Sequence, residues 1–306
     1  MTVLCLPRIT RAADGTPGMP LRVISYNVQF LPGVARVANK RKQPQYRAAE
    51  LGRLMSHYDL VGLNEVFDDE PRGAILAGVK QHWGDAFYVI TGPTPSDDRF
   101  NGGLALISRH PFLETHSWIY TIASSPKDYG LRADGYAAKG VLHARIARDA
   151  QASDAGIDVF VTHLEARVAE IRHQQFGEFA NFVARHSSPS RPILLLGDFN
   201  TRGNPEYRED ETSAYHLLIG TIKKSIPEHR LLDLWPALKD GQDGGTSEQE
   251  GKPGGRRIDY IFAASANKEP PRLKATDVRV NRFLDEKVGA LSDHSAVEAD
   301  ILWLPK

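Results

Sequence analysis

The sequence has almost no cysteine, no excess charge of either sign and no long apolar run. Cys5 is the only cysteine in 306 residues, which excludes an intramolecular disulfide and a cysteine-rich metal cluster. Lys plus Arg and Asp plus Glu both number 38, and the isoelectric point is about 7.2. This balance argues against the strongly basic surface that nucleic-acid binding favours, although a local basic patch is compatible with it.

No apolar stretch approaches the roughly 20 residues of a membrane-spanning helix. Within residues 1–20, Arg8, Arg11 and Asp14 stand where a signal peptide would need an uninterrupted apolar core. We therefore expect a flexible tail over 1–20 and a single domain over 21–306. No signal peptide is evident in this numbering, so cytoplasmic and secreted locations both stay open.

A buried strand with a polar end is the clearest local signal. Four aliphatic residues, 193–196, are typical of a strand buried on both faces, and the strand is predicted to end at Gly197. Asp198 and Asn200 follow two positions apart, so an extended chain would point both to one side. A carboxylate and a carboxamide at such a place either cap the turn or belong to a functional site.

The same arrangement recurs along the chain, which favours a functional site. Polar side chains follow or open several predicted strands, and these are Asn27, Glu65, His163, Asp198 with Asn200, Asp259, and Asp293 with His294. Each of them alone is more often a cap or a satisfied core group. Their recurrence over nearly the whole chain favours one domain that closes over one site.

The residue types in this set suit one chemistry. Glutamate, aspartate and amide oxygens are ligands for a hard cation such as Mg²⁺. A histidine next to an aspartate suits a general base, and a second histidine with amides can bond to phosphate oxygens. Together they indicate metal-assisted hydrolysis of a phosphate ester. The other histidines are interpreted as surface or structural residues, and they are His57, His82, His110, His116, His143, His173, His186, His216 and His229.

These segments, in this order, resemble the endonuclease/exonuclease/phosphatase superfamily of Mg²⁺-dependent phosphoesterases. The matching segments are 25–28 (SYNV), 64–65 (NE), 162–164 (THL), 197–200 (GDFN), 258–261 (IDYI) and 292–294 (SDH). The resemblance covers about residues 21–303. It implies a four-layer α/β sandwich of the DNase I-like type, with two mostly antiparallel sheets packed face to face and helices outside.

The resemblance also implies roles for the metal ligands and the base. Glu65 matches the principal Mg²⁺ ligand and Asn27 assists it, with Mn²⁺ or Co²⁺ as substitute ions. His294 matches the general base for the attacking water, and Asp293 matches its orienting partner.

For the phosphate the resemblance implies four further residues. His163, Asp198 and Asn200 match the residues that hold the scissile phosphate and stabilise its pentavalent transition state. Asp259 matches a position that supports this network.

Within the superfamily the chain resembles neutral sphingomyelinases, through 64–68 (NEVFD), 134–140 (DGYAAKG) and 163–166 (HLEA). This implies hydrolysis of a phospholipid of the sphingomyelin type to ceramide and phosphocholine, by a monomer that binds a membrane surface transiently. Lys139, at a strand start, is a further candidate for phosphate binding. The chain departs from secreted sphingomyelinases between the last two motifs, because 263–291 contains Phe283 as its only aromatic residue.

Two alternatives stay open. A DNA nuclease of the same superfamily would need a basic groove, for which Arg36 with Lys40, Arg41 and Lys42 form one candidate cluster and Arg256 with Arg257 another. A non-catalytic binding module would be expected to lack Glu65 or His294, and this chain has both. The Gly-, Ser-, Gln- and Lys-rich stretch 241–257 predicts a mobile loop, and 118–120 (WIY) predicts a buried strand.

Overall fold

Two β-sheets form the centre of the computed structural model, which describes residues 10–11, 17–32, 42–130, 133–147, 156–249 and 252–304. Most of the tail expected over 1–20 and the basic residues Arg36, Lys40 and Arg41 lie outside these ranges. The division into tail and single domain therefore stays a prediction.

The strands, in chain order, are β1 (Thr10–Arg11), β2 (Pro17–Phe30), β3 (Leu60–Val66), β4 (Tyr88–Thr91), β5 (Ala105–Ser108), β6 (Phe112–Ile119), β7 (Gly140–Ile146), β8 (Ile157–His163), β9 (Ile193–Asp198), β10 (His229–Asp233), β11 (Ser247–Gln249), β12 (Lys252–Arg256), β13 (Asp259–Ala266), β14 (Leu273–Asn281), β15 (Leu284–Asp285), β16 (Gly289–Ala290) and β17 (Ala296–Trp303). The helices are α1 (Pro44–Met55), α2 (Asp69–Trp83), α3 (Pro126–Tyr129), α4 (Ala169–His186), α5 (Pro205–Glu209), α6 (Ala214–Ser225) and α7 (Leu234–Leu238).

Both sheets have the same plan of strand pairing. The first has the order β14-β17-β2-β3-β5-β4, with β1 beside β2, and the second has the order β10-β13-β9-β8-β7-β6. In each sheet the central pair is parallel, β2 with β3 and β8 with β9, and the other pairs are antiparallel. Because strands of a parallel pair end together, each sheet brings two carboxyl ends to one edge.

The alternation of side chains along β9 explains why four aliphatic residues follow one another. Leu194 and Leu196 belong to the core between the two sheets, together with residues such as Val23 of the first sheet. Ile193 and Leu195 belong to the core beneath the helices of the second sheet. All four are fully buried, and each contributes about 1.5–3 kcal/mol of transfer free energy. The prediction of a strand buried on both faces is confirmed.

Helices cover the outer face of each sheet, which completes the expected four layers. The first sheet is covered by α1 and α2, through residues such as Leu51 and Ile75. The second is covered by α4 and α6, through residues such as Phe179 and Leu218. No helix in the described part of the chain has the length and apolarity needed to cross a membrane.

The stretch 241–257 is not the mobile loop that its composition predicted. Strands β11 and β12 pair within it, and the backbone N–H of Glu248 donates to the carbonyl of Asp293 at 3.2 Å. The N–H of Ser295 donates to the carbonyl of Thr246 at 2.6 Å. These bonds attach the hairpin to the segment that contains His294. Composition did not reveal them because they depend on a partner far away in the sequence.

The second correction concerns the aromatic residues of 118–120. Strand β6 forms the edge of the second sheet, and the side chain of Trp118 is 42% exposed. Tyr120, just after the strand, is buried and its hydroxyl bonds to the Thr162 hydroxyl at 2.6 Å. The strand is present, but Trp118 is not buried in it.

Gly197 offers a test of how tightly β8 and β9 are paired. Its φ is 137°, and a Cβ atom there would lie 2.0 Å from the carbonyl oxygen of Thr162. We expect Gly197→Ala to lower the free energy of unfolding by about 2 kcal/mol or more, because β8 and β9 would have to separate locally. Urea denaturation measures the change.

Gly177→Ala is the matched control. Gly177 lies within α4, with no atom within 4 Å of the added Cβ. Alanine should raise stability there by about 0.5–1 kcal/mol, because it is the better helix former. Equal effects of the two substitutions would contradict this description of β9.

Candidate active site

The candidate site lies where the carboxyl ends of the two parallel strand pairs face each other. In the second sheet, His163 of β8 is paired with Asp198 of β9, and Asp198 is paired with Asp259 at the start of β13. In the first sheet, Asn27 of β2 is paired with Asn64 of β3. The register of the strands therefore places these polar residues side by side at one edge.

Unusual backbone conformations occur at this edge. Gln29, Glu65 and Asn200 have positive φ values of 52°, 57° and 48°, which side-chain-bearing residues rarely adopt. The backbone of Glu65 also packs closely against Gly103. A Cβ atom added to Gly103 would lie 3.1 Å from the Glu65 Cα. Strained conformations of this kind cost about 1–3 kcal/mol each and concentrate at functional sites.

The His294 imidazole is held by Asp259. Its Nδ1 lies 2.7 Å from Asp259 Oδ2, and the Thr246 hydroxyl donates to the same oxygen at 2.6 Å. Burial lowers the pKa of His294, but Asp259, with help from Asp198 and Asp293, outweighs this and raises the pKa to about 10. The ring is therefore a strongly basic group whose orientation is fixed by a carboxylate.

This contact corrects the expected role of Asp293. Asp293 was expected to be the orienting partner of His294, but the carboxylate in contact with the ring is that of Asp259. Asp293 instead accepts a hydrogen bond from the side-chain amide of Gln29. Its charge raises the pKa of Glu65, so it faces the Glu65 side of the site. Gln29 and Thr246 are residues that the sequence analysis missed.

Lys139 is packed against His163. The Lys139 Nζ atom lies 3.0 Å from His163 Nε2 and 3.0 Å from Asp134 Oδ2, and the side chain is 4% exposed. Burial, then the charges of Lys139 and His294, hold the pKa of His163 well below its usual value. His163 is therefore neutral, with its Nε2 atom 3.9 Å from the carboxylate of Glu65.

Asp198 joins the two sheets through hydrogen bonds. Its Oδ2 atom accepts from the Asn27 amide at 3.1 Å, and its Oδ1 atom accepts from the backbone N–H of Asn200 at 2.9 Å. Burial, followed by the nearby charge of Asp259, raises the pKa of Asp198 to about 6. The side-chain amide of Asn200 donates to the Leu164 carbonyl at 2.9 Å. The structure thus brings together every site residue that the sequence predicted.

The residues around Glu65 suit a hard divalent cation. The Glu65 side chain is 20% exposed, and burial raises its pKa to about 7 although Lys139 opposes the rise. The negative charge of Asp293 raises the pKa of Glu65 further, so two carboxylates repel each other here. The buried Oδ1 atom of Asn64 has no hydrogen-bond partner among the described residues. Oxygen donors with unbalanced negative charge fit Mg²⁺ or a similar ion.

A second group of ligand atoms lies beside the first. Asp198, Asp259 and His294 each offer an atom within 4.8 Å of the others, and all three are buried. The Oδ1 atom of Asp259 is buried without a hydrogen-bond partner among the described residues. This group is committed to orienting His294, so Glu65 with Asp293 is the better candidate for the cation.

An arginine-lined cavity of about 300 Å³ adjoins Asn200. Arg172, Arg202 and Arg256 line it, and the buried Nε atoms of Arg172 and Arg256 have no hydrogen-bond partner among the described residues. Arg257 does not contribute, contrary to the basic pair suggested by the sequence. Its side chain is buried in an ion pair with Asp233 at 2.6 Å. We refer to this feature as the arginine cavity.

Comparison with known proteins identifies the class to which this fold and site belong. Residues 24–294 match the Endonuclease/Exonuclease/phosphatase family, so the chain belongs to that family, whose members are hydrolases that use divalent metals.

One curated relative is similar to this chain over most of its length. Sphingomyelinase C from Bacillus cereus is 24% identical over 240 residues, which cover 68% of this chain and 65% of that protein. The match thus spans slightly less than two thirds of the relative.

Two solved structures share the fold. The first is a Staphylococcus aureus beta toxin variant with bound magnesium ions, with a TM-score of 0.60, 18% identity and coverage of 92% and 99% of the two chains. The second is D. rerio TDP2 complexed with a single-strand DNA product, with a TM-score of 0.62, 17% identity and coverage of 92% and 98%. The expected DNase I-like architecture is confirmed.

The basicity of His294 can be tested by NMR titration of the metal-free protein. We expect an imidazole pKa of about 10 for His294, and a pKa far below that in Asp259→Asn, which removes the hydrogen-bonded carboxylate. Asp293→Asn is the matched control, because Asp293 makes no hydrogen bond to this ring in the described structure. A larger fall in Asp293→Asn than in Asp259→Asn would contradict the assignment of Asp259.

Proposed function

We propose that this chain is a phosphodiesterase that hydrolyses a phospholipid of the sphingomyelin type to ceramide and phosphocholine. The observation that carries the proposal is the His294–Asp259 pair, 2.7 Å apart, in one buried site with His163, whose ring lies 3.0 Å from the Lys139 Nζ atom. A base and a phosphate-binding surface thus lie together in one buried site. A non-catalytic binding module would have no need of these two features together.

In this proposal His294 accepts the proton of the attacking water. Asp259 holds Nδ1, which leaves Nε2 directed into the site, 3.9 Å from Asp198 Oδ2. The carboxylate of Asp259 stabilises the imidazolium that forms when the proton arrives. His294 must first be neutral, so charge compensation of the surrounding carboxylates is a precondition for its action.

The phosphate would be held from the opposite side by Lys139, His163 and Asn200. Lys139 supplies positive charge, and the neutral His163 ring can donate a hydrogen bond to a non-bridging oxygen. Asn200 and Asp198 are fixed to each other by the 2.9 Å bond between the Asn200 N–H and Asp198 Oδ1. Positioning and charge stabilisation of this kind are the main contributions a protein makes to phosphoryl chemistry.

Glu65 would hold the divalent cation, with Asp293 and Asn27 beside it. Mg²⁺, or Mn²⁺ or Co²⁺ in its place, would supply Lewis-acid polarisation of the phosphoryl oxygen and stabilisation of the leaving alkoxide. Asn27 would act mainly by lying close to the cation, because both polar atoms of its side chain already have partners. Its Nδ2 atom donates to Asp198, and its Oδ1 atom accepts from the Gln29 N–H at 3.2 Å.

The choice of a lipid substrate is supported by the similarity to sphingomyelinase C over 68% of the chain. Trp118, exposed at the edge strand β6, provides an aromatic side chain that can enter a lipid headgroup layer. We propose that the protein acts as a monomer that binds the membrane surface transiently.

The arginine cavity favours a second candidate, a phosphodiester of single-stranded nucleic acid. Phosphocholine carries a single phosphate, whereas three arginines line the cavity beside Asn200 with one acidic residue, Asp210, among them. A polynucleotide carries further phosphates that these arginines can bind. The TDP2 structure that shares this fold is a complex with a DNA product.

Removing the base should abolish turnover. We expect His294→Ala to lower kcat by about 10²-fold or more, since a positioned general base typically contributes that much. The measurement is product release with saturating metal and substrate. His57→Ala is the control, because His57 is exposed and lies outside the site. Retention of more than a few per cent of the activity in His294→Ala would contradict the role of His294.

Metal removal and pH should act together through Glu65. We expect EDTA to abolish activity and Mg²⁺ to restore it, with tighter Mg²⁺ binding as the pH rises through about 7, because the raised pKa of Glu65 makes protons compete below that value. The check is the Mg²⁺ concentration for half-maximal activity between about pH 6 and 8. In Glu65→Gln this pH dependence should disappear together with most of the metal affinity. Activity that is insensitive to EDTA would refute the metal assignment.

The two substrate classes can be separated in one assay. Purified protein is given Mg²⁺ with either sphingomyelin vesicles or single-stranded and supercoiled DNA. Phosphocholine release without DNA cleavage supports the proposal, and DNA cleavage without phosphocholine release supports the second candidate. Under the second candidate Arg202→Ala should slow DNA cleavage about tenfold, because it removes a charge from the arginine cavity. Arg53→Ala, an exposed arginine on α1, is the control.

A further inference from the structure

Three histidines that the site does not use lie together on the other face of the second sheet. His116 of β6 is paired with His143 of β7, and His143 is paired with Phe160 of β8. Phe160 belongs to the core beneath α4, whereas its neighbour Val161 belongs to the core between the sheets. The row therefore faces α4, whose last residue, His186, lies over it. We refer to His116, His143 and His186 as the histidine cluster.

The imidazoles of the histidine cluster are in direct contact. The ring centroids of His116 and His186 are 4.0 Å apart, and the centroid of His143 lies 5.6 Å from each. One nitrogen from each ring lies within 4.8 Å of one nitrogen from each of the others. The His143 side chain has no exposed surface, and the other two are partly buried.

Carboxylates fix the two strand histidines through the same ring atom. His116 Nε2 lies 2.6 Å from Glu114, and His143 Nε2 lies 3.1 Å from Asp158. Arg145 pairs with both carboxylates and so restrains them, at 2.6 Å from Glu114 and 3.3 Å from Asp158. A histidine that donates Nε2–H to a carboxylate keeps Nδ1 as a lone-pair donor, which is the usual second-shell arrangement behind a metal-bound histidine.

The Nδ1 atom of His143 is unsatisfied in the described part of the chain. It is buried, and no described residue supplies a hydrogen-bond partner. A buried polar atom without a partner carries a desolvation cost, so it calls for an explanation. Simple packing against Phe160 would be served equally well by an apolar ring. Metal binding requires a neutral imidazole. Burial lowers the pKa of His143 and lowers that of His186 to about 4, which keeps both rings neutral.

We propose that the histidine cluster is a binding site for a transition-metal ion of the Zn²⁺ class, separate from the hydrolytic site. Imidazole nitrogen is a preferred ligand of Zn²⁺, Cu²⁺ and Ni²⁺ but not of Mg²⁺, so the two sites take different ions. Three protein ligands leave a fourth position for water. His186 ends an 18-residue helix, and the carboxyl end of a helix favours a cation.

Only small movements are needed to form the site. Nitrogen ligands of a tetrahedral zinc ion with bonds of about 2.0–2.1 Å lie roughly 3.4 Å from one another. The present spacing of up to 4.8 Å closes mainly by rotation of His186, a partly buried ring at the end of α4, with a small tilt of His116 that keeps its contact with Glu114. His143 stays in place because Asp158 and the packed core hold it.

Zinc binding by equilibrium dialysis of the whole chain tests this inference. Wild type is compared with His116→Gln and His186→Gln, which keep a polar side chain of moderate size, and with the control His57→Gln at an exposed position. We expect each of the first two variants to bind about one equivalent of Zn²⁺ less than wild type, and the control to bind as much as wild type. The comparison uses the difference in bound Zn²⁺ between variants and wild type, because the histidines and carboxylates of the hydrolytic site can also bind Zn²⁺.

A thermal scan gives a second measurement that does not depend on activity. Zn²⁺ should raise the unfolding midpoint of wild type and His57→Gln by more than that of the two cluster variants, since a ligand that binds only the folded state stabilises it. The midpoints without metal show whether the variants fold, and hydrolysis with Mg²⁺ should be the same in all four proteins. Equal zinc binding in all four, loss in only one cluster variant, or no zinc uptake by wild type would each overturn the proposal.

Discussion

The contact between His294 and Asp259 is the interaction on which the rest of the site depends. Asp259 opens a strand of the second sheet and His294 lies two residues before a strand of the first, so their 2.7 Å bond crosses from one sheet to the other. The Asn27–Asp198 bond crosses in the same way, and the Asn64 amide donates across to the Thr162 carbonyl at 2.8 Å. The apolar core brings the sheets together, and these polar contacts fix their register at the edge where chemistry is proposed.

The charge content of this edge explains why a cation belongs to it. Glu65, Asp198, Asp259 and Asp293 bring four carboxyl groups into a region that also contains the basic groups Lys139, His294 and, interacting with Asp198, Arg172. Burial is the main cause of the raised pKa values of Glu65 and Asp198, and the neighbouring carboxylates Asp293 and Asp259 add to it, so the charged forms are costly here. A bound divalent ion would reduce that cost and also release His294 from part of the negative field. Ionisable groups with displaced pKa values gather at functional sites for this reason.

Many of the site residues could be predicted from the sequence, because the fold places them directly after apolar strands. Strand ends with polar residues were readable at Asn27, Glu65, His163 and Asp198, since β2, β3, β8 and β9 are central and strongly apolar. The partner of His294 was not readable, because adjacency in sequence suggested Asp293 whereas three-dimensional contact selected Asp259.

Other features were missed for the same physical reason. Thr246 lies in a Gly-rich stretch and is ordered by contacts with the segment around His294. The histidine cluster could not be seen either, since His116, His143 and His186 are brought together by strand register and by the end of a helix. Patterns of local sequence report which face a residue occupies, but they do not report which distant residue meets it.

The position of β17 in the first sheet has a consequence for biosynthesis. This strand pairs with β2, although the two are separated by most of the chain, and it begins just after His294. On the ribosome, a growing chain that has already made Glu65, His163 and Asp198 still lacks the strand that completes the edge of β2. Because this contact is so distant in sequence, the sheet can close only late. A nascent or prematurely terminated chain therefore lacks the complete edge at which His294 meets Asp259, and the candidate site can form only after nearly the whole chain has been made.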